Sequence, residues 1–152
     1  MMLENKVVIV SGIGPGLGQE LSTLAAKEGA AAVVLAARTP AKLDVAEQEI
    51  QALGLNTAVL KVVTDIADPD QCLALAKKTA DEFGRIDVLF NSAYDPGSFG
   101  PIESANLDDW RRSMDVNFFG TMQLTQACIP YMKDAGGGTI VMIATMVEHK
   151  PM

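Results

Sequence analysis

An apolar run near the start of the chain is followed at once by four glycines. Residues 7–10 read Val-Val-Ile-Val, which is typical of a buried strand. The glycines are Gly12, Gly14, Gly16 and Gly18, and a helical pattern of apolar residues begins at Leu17. Glycine permits a sharp turn, and unpaired N–H groups at a helix start favour an anion. The segment therefore predicts a turn that binds a phosphate group.

The spacing of these glycines follows one pattern and not another. Gly12, Gly16 and Gly18 fit Gly-x-x-x-Gly-x-Gly. They do not fit the more general Gly-x-Gly-x-x-Gly, because the last glycine would fall on Leu17 when counted from Gly12 and on Gln19 when counted from Gly14. On the motif alone, a purely structural strand-to-helix turn is the open alternative.

Composition limits the kind of protein this can be. The 152 residues suffice for one domain with a core, and 49% hydrophobic residues indicate a folded chain. No apolar run approaches the ~18 residues of a membrane span, and no cleavable leader is recognisable. A net charge of −7 argues against nucleic acid or an anionic membrane as the partner. We expect a cytoplasmic protein.

Cysteine and histidine are too scarce for several kinds of chemistry. Cys72 and Cys128 lie far apart in helical patterns, so we expect buried free thiols. His149 is the single histidine, which leaves no material for a Ser-His-Asp triad or a histidine metal cluster. We predict no metal site.

Strand and helix patterns alternate along the chain. Predicted strands cover residues 7–10, 32–37, 57–63, 86–90 and 139–144. Predicted helices cover residues 17–28, 40–53, 69–83 and 107–132. Thr39 and Asp68 are the expected N-caps, because each precedes a proline that suits the first helical position. A bend near Pro130 is an open alternative in the last helix. The alternation predicts a parallel sheet with helical crossovers.

Polar residues follow four of the predicted strands. They are Arg38, Asp65, Asn91 and Thr145, and the glycine turn follows the remaining strand. In such a sheet, ligands bind beyond the carboxyl ends of the strands. We therefore expect these residues to meet at one edge.

Five segments, in this order and spacing, resemble the short-chain dehydrogenase/reductase family over essentially all 152 residues. The segments are Ser11-Gly12-x-x-x-Gly16-x-Gly18, Asp65-Ile66, Asn91-Ser92-Ala93-Tyr94, Met114-Asp115-Val116-Asn117 and the stretch from Gly138 to Thr145, which holds the fifth predicted strand. Each segment by itself is weak evidence for the family. The resemblance rests on all five occurring in the family's order and spacing.

The resemblance implies a doubly wound parallel α/β sheet, the Rossmann fold, with strand order 3-2-1-4-5 and without the family's C-terminal strands. It implies one dinucleotide-binding domain over residues 1–152 and hydride transfer between a nicotinamide cofactor and a small-molecule carbonyl or alcohol substrate. The implied cofactor-binding residues are Ser11, Gly12, Gly14, Gly16, Leu17, Gly18, Arg38, Asp65, Ile66, Asn91 and Ala93. The implied catalytic residues are Asn117, which helps hold a proton-relaying water, and Thr145, which polarises the carbonyl.

The residues after the second strand favour NADP. A carboxylate at the end of that strand would bind the ribose of NAD, but Ala37 stands there, followed by Arg38. A guanidinium suits the 2′-phosphate of NADP. The alternative is a solvent-exposed Arg38, which leaves NAD possible. Pro15 precedes Gly16, so a second phosphate contact common in the family, a basic residue at that position, is absent.

Three departures from the family pattern bear on function. Tyr94 replaces a glycine, and its ring either reshapes the site or folds outward. Thr145 replaces a serine, which keeps a hydroxyl but adds a methyl group, so the substitution favours a functional hydroxyl over the alternative of an inactive position. The Tyr-x-x-x-Lys pair is missing, because Tyr94 and Tyr131 are followed four residues later by Ser98 and Ala135. We expect the N-terminal portion of a longer enzyme, inactive as this fragment.

Two other functions stay open. One is an isomerase, lyase or dehalogenase on the same fold, and the other is a non-catalytic dinucleotide-binding module. The helix at residues 107–132 resembles the family's oligomer-forming helix, which implies a homodimer or homotetramer for the complete protein.

Overall fold

Five parallel strands form a single sheet in the computed structural model, which describes residues 1–143. The strands are β1 (Val7–Ser11), β2 (Ala32–Ala37), β3 (Ala58–Val63), β4 (Val88–Asn91) and β5 (Thr139–Met142). They lie in the order β3-β2-β1-β4-β5, and every neighbouring pair is parallel. The predicted doubly wound Rossmann sheet is confirmed.

Helices connect the strands. They are α1 (Leu17–Lys27), α2 (Pro40–Ala52), α3 (Pro69–Phe83), α4 (Leu107–Met114) and α5 (Thr121–Asp134), with a π-helical segment, Asp115–Gly120, between α4 and α5. A 3₁₀ turn covers Ile102–Ser104. Among residues 1–143, no helix combines the length and the apolar composition that crossing a membrane requires.

The sheet is covered on both faces, which explains its continuous apolar strands. Ile9 belongs to a core cluster with residues of α3 and α5, whereas Val8 and Val10 belong to a second cluster with residues of α1 and α2. All three side chains are fully buried. The absence of a polar alternation in β1 therefore follows from helices packing on either side.

The predicted helix over residues 107–132 is divided. The change in hydrogen bonding lies at Asp115–Gly120, whereas Pro130 lies inside α5. Gly120 packs so tightly that a Cβ there would lie 2.8 Å from the carbonyl oxygen of Ile66. The π-helical turn thus coincides with a close approach between this helix and the segment after β3.

One of the two predicted caps forms. Asp68 accepts hydrogen bonds from the N–H groups of Asp70 and Gln71 at the start of α3. Thr39 occupies the N-cap position of α2, but its hydroxyl makes no capping hydrogen bond, which corrects the expectation for that residue. The Thr39 side chain is left available to the cleft described below.

The two cysteines are free and buried, as predicted. Burial raises the pKa of the Cys72 thiol to about 11 and that of the Cys128 thiol to about 12. Both thiols are therefore protonated near neutral pH and act as small apolar side chains in the core.

Asp87 holds together the amino-terminal edge of the sheet. Its carboxylate accepts a 2.9 Å hydrogen bond from the N–H of Val7 and two from the Arg85 guanidinium, at 2.9 and 2.6 Å. Burial by itself would raise the pKa of Asp87, but the bonds from Arg85 and Val7, with the charge of Lys6, hold it below its usual value. The ionised form is thus built into the fold.

We predict that Asp87→Asn lowers the free energy of unfolding at pH 7 by about 1–3 kcal/mol, because it removes the buried negative charge to which Val7 and Arg85 donate. A depressed pKa contributes stability that is present above the unfolded pKa of about 3.9 and lost as pH falls through the folded value. The difference between variant and wild type should therefore shrink below pH ~4. Urea unfolding at pH 7 and in acid measures it.

Asp81→Asn is the matched control, because the Asp81 side chain is exposed in its pair with Lys77. It should leave the unfolding free energy at pH 7 nearly unchanged. Equal effects of the two substitutions would contradict a structural role for Asp87.

Candidate functional site

A cleft of about 530 Å³ lies beyond the carboxyl ends of the strands. Its volume is within the roughly 300–1,000 Å³ typical of small-molecule sites. The lining comes from the glycine turn, from the segments that follow β2, β3 and β4, and from single residues of the π-helical segment and the segment after β5. It includes Gly12, Ile13, Gly14, Pro15, Leu17, Gly18, Arg38, Thr39, Lys42, Asp65, Ile66, Ala93, Tyr94, Val116 and Ile143.

The glycine turn is packed too closely for side chains at two positions. A Cβ on Gly12, whose φ is +84°, would lie 2.4 Å from the Cα of Ala93. A Cβ on Gly18 would lie 2.2 Å from the carbonyl oxygen of Gly12. Gly16 differs, because a Cβ there meets nothing within 4 Å, but its φ of +128° is one that other residues rarely adopt. Gly12 and Gly18 therefore leave no space for a side chain, whereas Gly16 is required by its backbone conformation.

The turn leaves main-chain donors unused. The N–H groups of Gly12 and Ile13 both donate to the carbonyl oxygen of Ala36, at 2.9 and 3.2 Å, which fixes the turn to β2. Within residues 1–143, the N–H groups of Gly14 and Gly16 donate no hydrogen bond. Helix α1 also begins without a side-chain cap. Unpaired donors at a helix start are suited to an anion.

Two cations and one carboxylate are the charged groups of the described lining. The cations are Arg38, which the sequence predicted, and Lys42 on the first turn of α2, which it did not. Lys42 lies against the glycine turn, because a Cβ on Gly14 would be 3.6 Å from its Nζ. A basic residue four positions after Arg38 was the available signal. The chain carries a net charge of −7, yet this cleft has an excess of positive charge.

Asp65, Ile66 and Ala93 line the cleft as the sequence predicted. The Asp65 Oδ1 atom accepts a 3.0 Å hydrogen bond from the N–H of Ala67, and the Asp65 N–H donates to Gln71 Oε1 at 2.8 Å. These bonds fix the carboxylate at the end of β3. Ile66 is buried and supplies an apolar wall.

Three predicted contact residues are not part of the cleft lining. The Ser11 hydroxyl is buried and donates to the carbonyl oxygen of Phe90 at 3.3 Å. Asn91 is buried and donates from Nδ2 to the Thr125 hydroxyl at 3.1 Å. Gly16 acts through its backbone conformation. Ser11 and Asn91 therefore bind neighbouring elements beneath the cleft, and direct contact with a cofactor remains a prediction for all three residues.

Asn117 is held in a hydrogen-bond network with the loop after β4. Its Oδ1 accepts from the N–H of Asp95 at 2.8 Å, and its Nδ2 donates to the Asp95 carbonyl oxygen at 2.8 Å and to the Ser113 hydroxyl oxygen at 3.0 Å. Both ends of the amide are therefore engaged by protein. In this structure the Asn117 side chain fixes a loop at the mouth of the cleft.

The Asp95 carboxylate strengthens the same network. The N–H of Gly97 donates to it at 2.9 Å, and Arg112 Nε donates at 3.1 Å. The bond from Gly97 lowers the pKa of Asp95, burial opposes this, and the charge of Arg112 adds to the lowering. Asp95 and Ser113 were missed because nothing in their local pattern distinguishes them from ordinary loop and helix residues.

A family model described as short chain dehydrogenase matches residues 6–152. The chain belongs to the short-chain dehydrogenase family. An uncharacterized oxidoreductase of Staphylococcus saprophyticus is 36% identical over 148 residues, which cover 97% of this chain and 57% of that protein. An uncharacterized oxidoreductase of Methylorubrum extorquens is 34% identical over 147 residues, covering 95% and 56%.

Solved structures of short-chain dehydrogenases share the fold. NAD⁺-bound xylitol dehydrogenase superposes with a TM-score of 0.93 at 27% identity, over 100% of this chain and 57% of that one. A metagenomic short-chain oxidoreductase in complex with NADP gives 0.90 at 30% identity, over 100% and 67%. The chain spans a little over half the length of the two curated oxidoreductases that it matches.

Two departures from the short-chain dehydrogenase pattern have different outcomes. Tyr94 lines the cleft and leaves 69% of its surface exposed, so its ring stands at the mouth. Thr145 and the end of the predicted fifth strand at residue 144 lie outside the described residues. The last described residue, Ile143, lines the cleft.

We predict that Gly18→Ala lowers the free energy of unfolding by about 1–3 kcal/mol, because the new methyl group must displace the Gly12 carbonyl. Gly14→Ala is the matched control in the same turn. A Cβ there makes only ordinary contacts, the nearest at 3.5 Å to the Lys42 side chain. Urea unfolding of both variants tests this, and equal stability of the two would contradict the close contact at Gly18.

Proposed function

We propose that this chain binds NADP for an oxidoreductase that transfers hydride between the nicotinamide and a carbonyl or secondary alcohol. The observation that carries the proposal is the glycine turn, which is packed against Ala93 and has unused N–H groups at Gly14 and Gly16. Family membership supports the reaction class.

The pyrophosphate is assigned to the start of α1. The N–H groups of Gly14 and Gly16 and the amino-terminal dipole of the helix together offer donors and partial positive charge. The absent side chains at Gly12 and Gly18 let neighbouring backbone segments close around this turn. The residues present therefore fit a dinucleotide.

The adenosine half is assigned to the side of the cleft formed by the ends of β2 and β3. Asp65 and Ile66 both line the cleft. We propose that the Asp65 carboxylate accepts a hydrogen bond from the adenine amino group and that Ile66 packs against the adenine ring. Arg38 favours NADP, because Ala37 offers no carboxylate to bind the ribose hydroxyl or repel a phosphate. One similar structure holds NAD⁺ and another holds NADP, so the similarity by itself does not favour either cofactor. The proposal of NADP therefore depends on Arg38.

When bound, the nicotinamide accepts or supplies the hydride. Asn117 holds the loop after β4 through Asp95, and this positions Ala93 and Tyr94 at the mouth of the cleft. We propose that the Thr145 hydroxyl donates a hydrogen bond to the substrate oxygen. Neither tyrosine of the 152 residues has a lysine four positions on, so dinucleotide binding is the property to measure on this chain.

Calorimetric titration of the 152-residue chain with NADPH and with NADH tests the proposal. We expect saturable binding of both, with tighter binding of NADPH. Absence of binding of either dinucleotide by folded protein would contradict the assignment of the cleft.

We predict that Arg38→Asp weakens NADPH binding at least tenfold, because it removes a charge-assisted hydrogen bond and adds repulsion. Affinity for NADH should hold or improve, since a carboxylate can accept from the ribose hydroxyl. Lys78→Asp is the matched control, because it makes the same reversal of charge at an exposed position of α3 outside the cleft lining. An unchanged ratio of the two dissociation constants in Arg38→Asp would remove Arg38 from the phosphate role.

We also propose that α4 and the π-helical segment form a contact between copies of the chain. Phe118 and Phe119 are 54% and 51% exposed, and Trp110 and Met114 are exposed on the same stretch. Adjacent exposed apolar side chains are typical of an interface.

We predict that Phe118→Glu shifts the mass measured by light scattering toward the monomer, because it places a charge in the proposed contact. A wild-type monomer would contradict this proposal.

A further inference from the structure

Lys42 is the second cation of the cleft, and neither the cofactor assignment above nor the sequence motif accounts for it. It is the third residue of α2, the helix that begins two residues after Arg38. Its side chain lies over the glycine turn, with Cδ at 3.5 Å and Nζ at 3.6 Å from a Cβ built on Gly14. The ammonium group therefore stands at the junction of the turn and the end of β2.

Lys42 has no acidic partner within the described residues. It forms none of the ion pairs found among residues 1–143, and the nearby helix acids Asp44 and Glu47 are both paired with Lys61, at 2.8 and 2.6 Å. The positions three and four residues on are Val45 and Ala46. A cation directed to a cleft without a counter-charge is available to an anionic ligand.

Neighbouring groups have the chemistry to bind the same anion. Arg38 is also exposed and unpaired among the described ion pairs, and the Thr39 hydroxyl lines the cleft without capping α2. The one carboxylate of the lining, Asp65, already accepts a hydrogen bond from Ala67. Two cations and a hydroxyl around the end of β2 match the charge and acceptor oxygens of a phosphate monoester.

We infer that Lys42 is a specificity-determining residue that binds, together with Arg38, the 2′-phosphate of NADP. The inference rests on the proposed function, because it assigns a second contact within the same dinucleotide site. Pro15, the residue before Gly16, carries no charge, so α2 supplies through Lys42 the positive charge beside the glycine turn.

The competing role for Lys42 is contact with the pyrophosphate, which NAD and NADP share. The pyrophosphate is assigned to the N–H groups at the start of α1, whereas Lys42 belongs to α2 and follows β2. A 2′-phosphate contact favours NADPH alone, and a pyrophosphate contact favours both dinucleotides equally. The two roles are therefore separated by comparing the two affinities.

The test is calorimetric titration of wild type, Lys42→Gln, Lys42→Arg and Lys78→Gln with NADPH and with NADH. We expect Lys42→Gln to raise the NADPH dissociation constant roughly fivefold or more, as loss of one charge-assisted contact implies. The NADH constant should stay within about twofold of wild type, because NADH has no phosphate at that position. Lys42→Arg, which keeps the charge, should retain most of the preference for NADPH.

Lys78→Gln is the matched control, since Lys78 is an exposed lysine of α3 outside the cleft lining. It should change neither constant. The inference is overturned if Lys42→Gln leaves NADPH binding unchanged, or if it weakens NADPH and NADH by the same factor. Failure of wild type to bind either dinucleotide is a different result, because it refutes the proposed function and this inference with it.

Discussion

The close contact between the glycine turn and the segment after β4 is the constraint on which the site depends. At Gly12 there is room for a hydrogen atom and not for a methyl group, because the backbone of Ala93 would lie 2.4 Å away. The same turn is fixed to β2 through the carbonyl oxygen of Ala36. Three consecutive strands of the sheet, β2, β1 and β4, are thereby tied together at their carboxyl ends, and the cleft opens where they meet.

Charge in the cleft differs in sign from charge on the molecule. The chain is acidic overall, yet Arg38 and Lys42 outnumber the single carboxylate of the described lining. Local placement of this kind lets an acidic protein bind a phosphorylated ligand without attracting polyanions in general. The unused N–H groups of the turn add donors that carry no net charge.

The helix that follows the polar loop contributes to the site through its irregular part. At the π-helical segment, Gly120 approaches Ile66, while Asn117 hydrogen-bonds the main chain of Asp95. One short segment thus contacts both the loop after β3 and the loop after β4. The π-helical segment therefore joins two of the segments that line the cleft.

Sequence alone was sufficient for the order of strands and helices, for the glycine turn and for the polar residues at the ends of β2 and β3. These features depend on local rules, namely apolar periodicity, turn chemistry and the proline that follows Asp68. Element ends were predicted to within one or two residues for most of the chain. The last helical region was predicted without its π-helical segment, and the possible bend was expected near Pro130 instead.

Tertiary structure alone decided which side chains face the cleft. Lys42 lines the cleft because α2 packs beside a turn nearly thirty residues earlier in the chain. Ser11 does not line it, because its hydroxyl is buried against β4. Asn117 bonds to Asp95 only once the loop after β4 folds onto the helix. Such contacts join segments distant in sequence, and periodicity within one segment holds no information about which neighbour it will meet.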